Sequence, residues 1–199
     1  MTPERTAAMQ KALQKRQQDI TIVLENVFDP HNISAVMRTC DSVGIQEIFI
    51  LNSKIPRHKK WGFKSSSGAK KWLTVHEFEN FDECIKVLRE RYTRILTTHL
   101  SDDAVNLYEV NFTESIALVF GNEQDGVSEE MLAAADGNFI IPQVGIIKSL
   151  NISVACAVTL YEAYRQKQLA GHYDRNNFPQ DMQQQLMKNW EFANRKEWL

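Results

Sequence analysis

The sequence has three cysteines, Cys40, Cys84 and Cys156, scattered through apolar helical patterns. An odd number without short metal spacing argues against a disulfide scaffold or a zinc knuckle, and such residues read as small core side chains in a reducing compartment. No apolar run reaches membrane-spanning length, and MTPERTAAMQKALQKRQQD lacks the apolar core of a secretory signal. A cytoplasmic protein without membrane association is therefore expected. The first strand is not followed by GxGxxG, and GxxxxGK[ST] is missing, so neither a dinucleotide fingerprint nor a phosphate loop is indicated. The histidines at 31, 58, 76, 99 and 172 lack ligand spacing, and Ser65, Ser66 and Ser67 have no nucleophile elbow around them. No metal is expected. Internal repeats and low-complexity segments are missing as well.

Charge of one sign is also absent locally. From Ile95 to Ile147 there is not one Lys or Arg, whereas Lys54 to Lys71 holds seven and no acid. A net charge of −2 thus hides an asymmetry that would give a nearly neutral protein a positive face for an anionic partner. A solvated basic loop beside an acidic sheet edge would look the same. In the basic stretch Trp61, Phe63 and Trp72 interleave with Lys59, Lys60, Lys64, Lys70 and Lys71. Aromatic and cationic groups together suit RNA, although the aromatics could equally anchor the segment to the core or to a second subunit.

With 199 residues and 43% hydrophobic content, one domain with a real core is expected. Residues 1–20 read as an N-terminal polar helix, 21–169 as the main domain, and 170–199 as a helical C-terminal extension whose tryptophans need cover. Strands are expected over Thr21–Glu25, Glu47–Leu51, Thr93–Thr97, Ile116–Phe120 and Asn138–Ile141, with a weak extended piece near Ala104–Tyr108. Helices are expected over Ile33–Asp41, across an amphipathic pattern of Phe78, Phe81, Cys84, Ile85 and Leu88, from near Ser128, and over Leu150–Leu169. The fold class is α/β: an open, mostly parallel sheet of five or six strands with helices on both faces. The helix Leu150–Leu169 is apolar on nearly every side, which fits a core or half of a subunit interface. Polar, glycine-bearing loops at 98–100, 121–126 and 141–150 follow strands, where such a sheet places its small-molecule site.

Three stretches carry a resemblance: NISAVMRTCDSVG (32–44), LVFGNEQDGVSEEML (118–132) and IPQVGIIKSLNISVACAV (141–158). In order and spacing they resemble the three motifs of the SPOUT superfamily, and most closely the tRNA (guanosine(18)-2′-O)-methyltransferase family. ILTTHLSDDAVNLYEV (95–110) extends the likeness over essentially residues 1–175. The resemblance implies a C-terminal deep trefoil knot at about 118–160, an exception to the rule against threaded chains. It implies S-adenosyl-L-methionine as cofactor, held through Thr98, Gly121, Ile141 and Leu150, with tRNA as partner and a homodimer as the assembly. Methyl transfer to a ribose 2′-hydroxyl, at the D-loop guanosine, is the implied reaction. Arg38 matches the family's essential arginine, as base or as electrostatic stabiliser. Asn32, Glu123, Ser149 and Asn151 match the residues that brace it. Ser149 could instead be an N-cap of the last long helix, and Arg38 an exposed helix charge. Gln143 stands where relatives usually carry Met, and WGFKSSSGAKKW departs from their text. Methylation of another tRNA or rRNA nucleotide, or RNA binding without catalysis, are the competing readings.

Overall fold

The computed structural model describes residues 2–57, 68–101 and 103–195. Among these, seven strands form one sheet: β1 (Ile20–Glu25), β2 (Glu47–Leu51), β3 (Thr74–Phe78), β4 (Arg94–Thr98), β5 (Val105–Asn106), β6 (Ile116–Phe120) and β7 (Asn138–Ile140). Their order is β3-β2-β1-β6-β4-β7-β5, and every pairing is parallel. β1 and β6 sit at the centre, with Val23 in register with both Phe49 and Val119, and every residue of the two strands is buried. Continuous apolar runs suit that position, because both sheet faces are covered.

Alternation along the strands sends two side-chain sets to two faces. Ile22, Leu24, Leu118 and Phe120 pack against α2 (Pro30–Ser42) and α5 (Ile152–Leu169). Val23, Phe49, Ala117 and Val119 pack against α3 (Phe81–Arg91) and α4 (Glu129–Ala134). Asp29 caps α2 by accepting from the His31 amide, and Pro30 occupies the first turn, where its missing N–H costs nothing. Beyond α2 the chain turns at Gly44, φ +82°, where a Cβ would stand 2.5 Å from the Lys15 carbonyl oxygen.

α1 (Pro3–Gln14) and α6 (Gln180–Arg195) lie together outside this sandwich, burying Met9, Leu13, Leu186 and Trp190. The Trp190 indole N–H donates to the Trp72 carbonyl at 3.1 Å, and the two rings meet edge to face at 5.6 Å. The chain itself thus covers one of the two tail tryptophans; Trp198 lies outside the described residues.

Several boundaries differ from the sequence reading. Phe78 belongs to β3, a strand that periodicity does not reveal, so the sheet has seven members. The weak piece near Ala104 supplies only the two residues of β5 before a 3-10 turn over Leu107–Glu109. α5 starts at Ile152, and its N-cap is Asn151, whose side chain accepts from the Ser153 amide, instead of Ser149. Ile152, the first helical residue, is buried in the core. No helix among the described residues is long and apolar enough to cross a membrane.

Candidate active site

α2 and α4 follow the neighbouring strands β1 and β6 but pack on opposite faces of the sheet. The loops leaving these strand ends stay in contact at the carboxyl edge of the sheet, where such folds place their sites. Residues 121–128 form a tight hairpin there. The Asn122 and Gly126 backbones exchange hydrogen bonds of 3.0 and 3.2 Å, and Asn122 Oδ1 accepts from the amides of Gln124 (2.8 Å) and Asp125 (2.7 Å). Gly121 is required by space, since a Cβ there would stand 2.0 Å from the Gly126 carbonyl carbon.

The hairpin presents Glu123 to the turn after β1. Glu123 Oε1 accepts from Asn32 Nδ2 at 2.7 Å, and Oε2 accepts from the Phe28 amide at 3.2 Å. Asn32 Oδ1 in turn accepts from Asn151 Nδ2 at 3.2 Å, while Asn151 Oδ1 accepts from Ser153 Oγ and the Ser153 amide. Three of the five expected catalytic positions, Asn32, Glu123 and Asn151, thus form one hydrogen-bonded chain. Arg38 stands further along α2, six residues past Asn32, with its side chain exposed. Helical geometry sets it about a third of a turn round the axis from Asn32.

Ser149 sits elsewhere, on the wall of a cavity of about 330 Å³ at the ends of β4 and β7. Thr98, Ile141 and Leu150 line it too, with Phe139, Gln143, Lys148 and Ala155. Gly121 is not on this wall; Gly126, whose missing side chain faces open space, is. Thr98 Oγ1 donates to the Val119 carbonyl at 3.2 Å, fixing the end of β4 against β6. The lining is mostly apolar with a few convergent polar groups, as small-molecule sites are. The loop from 142 to 150 is exposed throughout, including the fully exposed Val144 and Ile146. Apolar residues with Thr98, Gln143 and Ser149 among them fit S-adenosyl-L-methionine, whose adenine needs apolar surface with a few donors and acceptors at its edge. Gln143 Nε2 reaches the Lys148 carbonyl at 3.4 Å, so it ties the loop to itself.

Of the expected RNA contacts, Lys70 and Lys71 lie in the 3-10 turn Ala69–Trp72, and Lys71 Nζ stands 5.2 Å from the Trp72 ring centroid. Lys59, Lys60 and Lys64 lie outside the described residues. Trp72 is one aromatic of the basic stretch that serves as an anchor, against Trp190.

Two positions escape the sequence reading. Glu25, 1% exposed at the end of β1, accepts from the amide (2.9 Å) and hydroxyl of Ser128, and so ties β1 to the hairpin after β6. Asn26 follows it with φ +51°. The available signal is a carboxylate closing an apolar strand ahead of a turn. Burial pushes the Cys84 thiol up to about 12 and raises those of Cys40 and Cys156 as well, so all three stay protonated near neutrality. Among the described residues no cluster of three or more His, Cys, Asp or Glu could hold a metal ion.

Residues 19–161 match the SpoU rRNA Methylase family. The tRNA (guanosine(18)-2′-O)-methyltransferase of Thermus thermophilus is 40% identical over 191 residues, 95% of this chain and 96% of that protein. The crystal structure of an A. aeolicus TrmH/SpoU tRNA modifying enzyme, 34% identical, superposes over 96% of both chains with a TM-score of 0.89. The SpoU methyltransferase AviRb from Streptomyces viridochromogenes, solved in complex with AdoMet, shares the fold at a TM-score of 0.70 over 77% of this chain and 62% of that one, at 23% identity.

Proposed function

The chain belongs to the SpoU rRNA methylase family, and from that premise we propose that it methylates a ribose 2′-hydroxyl of tRNA, at the D-loop guanosine 18, using S-adenosyl-L-methionine. It is an RNA 2′-O-methyltransferase. The observation that carries the site assignment is the meeting of two constructions at one sheet edge. A cavity framed by Thr98, Ile141, Ser149 and Leu150 lies beside the side-chain chain Glu123–Asn32–Asn151, and Asn151 is two residues from the cavity wall residue Ser149. Likeness over about 95% of the chain to enzymes named for guanosine 18 supports that nucleotide over others.

When bound, the cofactor supplies an electrophilic methyl group on a sulfonium whose charge is lost on transfer. The protein's share is to align the 2′-oxygen and favour its alkoxide character. Arg38 takes that part. Its guanidinium, a planar fork of donors, orients substrate phosphate and stabilises developing negative charge. Asn32, braced by Glu123 and Asn151, sets the first turn of the helix that carries Arg38. Ser149 and Leu150 hold the cofactor side, and Gly121 lets the hairpin close beneath it. Lys59, Lys60, Lys64, Lys70 and Lys71 contact tRNA phosphates.

Three further features belong to this reading. The segment 141–150 passes through a loop to make a trefoil knot within about 118–160, between an N-terminal helix and a C-terminal extension. Val154, Val158 and Tyr161, exposed on α5, form the contact of a homodimer in which both protomers complete the site. The enzyme works in the cytoplasm, where its tRNA is. The test is reaction of the purified protein with labelled S-adenosyl-L-methionine and total tRNA, followed by mapping of the methylated nucleotide. Label at guanosine 18 is expected; label elsewhere would move the substrate, and none at all would defeat the activity.

A further inference from the structure

Asn26 takes no part in the chemistry just described, yet it occupies a demanding place. Among the described residues it alone, glycines aside, has a positive φ, +51°, and it is 2% exposed. Asparagine tolerates this left-handed region because its short side chain can bond locally. Here the bonds go to another segment. The Asn26 amide donates to the Leu51 carbonyl at 2.8 Å, extending the β1–β2 ladder by one step. Its Oδ1 accepts from the Lys54 amide at 2.8 Å, and its Nδ2 donates to Ser53 Oγ at 3.3 Å. Ser53 precedes and Lys54 opens the basic stretch of residues 54–71. Two residues after Asn26 comes Phe28, whose amide holds Glu123, and six after it comes Asn32.

We propose that Asn26 is a positioning residue that fixes the start of the basic, RNA-contacting stretch against the catalytic turn, so that bound tRNA is registered relative to Asn32 and Arg38. This rests on the methyltransferase reading above. The backbone turns at Asn26 toward α2, and its side chain grips the other departing strand end. One residue therefore sets the relative direction of two loops. The cofactor cavity lies beyond β6, at the ends of β4 and β7, and no bond of Asn26 named above reaches it.

Asn26→Gly keeps the left-handed backbone without strain and removes only the side-chain bonds, whereas Asn26→Ala would confound the two. Asn26→Asp keeps the acceptor for the Lys54 amide. In single-turnover methylation at saturating tRNA, Asn26→Gly should lose about tenfold in rate. Its cofactor affinity by titration calorimetry should stay within about twofold of wild type. Asn26→Asp should recover most of the rate. A wild-type saturated rate in Asn26→Gly overturns the proposal. So does a parallel fall of rate and cofactor affinity, which would mark a general loss of structure, or an Asn26→Asp rate no better than that of Asn26→Gly. Failure of the wild-type protein to label tRNA in the same assay would instead strike the methyltransferase reading.

Discussion

Arg38→Ala separates chemistry from folding and from cofactor binding. The side chain is exposed on α2, so its removal should change fold stability by no more than about 1 kcal/mol. Arg38 is not on the wall of the 330 Å³ cavity, so cofactor affinity should stay within about twofold. The chemical step should nevertheless fall at least about a hundredfold, equivalent to about 2.7 kcal/mol of transition-state stabilisation, the loss seen when one preorganised donor to a developing oxyanion is deleted. Three measurements check this: denaturant unfolding, titration calorimetry with S-adenosylhomocysteine, and single-turnover methylation at saturating tRNA. Saturating RNA removes any contribution from weakened binding. Arg38→Lys adds a second arm. It restores charge without the planar fork, so a rate near that of Arg38→Ala would mean that geometry matters more than charge. Near-normal turnover in Arg38→Ala would refute the assignment outright. A proportional loss of stability and rate would show that Arg38 acts through the helix.

Glu25→Gln sets an amide NH₂ or a weaker acceptor against Ser128, and should cost about 2 kcal/mol, a fall in Tm of about 4–8 °C by calorimetry. An unchanged Tm would mean that the β1–hairpin tie is unimportant. His172 is buried near Lys167 and Arg175; burial first, then those two charges, hold its imidazole below the ordinary value despite Asp19 at 3.3 Å. The unfolded chain then takes up a proton below about pH 6.5 that the folded chain resists, so stability should fall as pH drops from there toward the folded pKa. Urea midpoints at pH 7.5 and 5.5 should differ less in His172→Gln than in wild type; equal differences would locate the pH sensitivity elsewhere. Val158→Asp places a charge on the exposed face of α5 and should give a monomer by sedimentation velocity with methyl transfer lost, whereas an active monomer would defeat completion of the site by both protomers.

What can be read from the sequence divides along physical lines. β1 and β6 are legible because central parallel strands must be apolar on both faces, and their runs say so. β3 is not: TVHEF places His76 and Glu77 in an edge strand whose residues are all only half-buried, and Phe78, which ends it, also fits a helical stripe with Phe81. The cap of α5 is ambiguous because KSLNIS offers several side chains able to accept from a helix N-terminus, and helical periodicity cannot choose among them. The structure selects Asn151 and so excludes the capping role that was the alternative for Ser149, placing Ile152 in the core as the first helical residue. The chain Glu123–Asn32–Asn151 joins residues 91 and 119 positions apart, a distance that no local pattern spans. Only the motif resemblance brings those three together in advance of the fold. Glu25 and Asn26 go unnoticed because a strand end and a turn are a sufficient account of them until their partners are seen.

Asn151 shows why this site needs an amide at one position. Its Oδ1 faces the N-terminus of α5 and accepts from Ser153, while its Nδ2 faces Asn32 and donates. A carboxylate would keep the cap but lose the donor, leaving two oxygens facing each other across 3.2 Å; a serine would keep a cap and reach nothing beyond it. Because both ends of the amide are used, the register of α5 is coupled to the first turn of α2. The same α5 is preceded immediately by Ser149 and Leu150 on the cavity wall, and it carries the exposed Val154, Val158 and Tyr161. A shift of α5 along its axis would therefore strain the Asn151–Asn32 bond and alter the cavity mouth together. The loop on the cavity wall and the first turn of α2 are thus held in register by one side chain, and a partner packed on α5 would act on both through it.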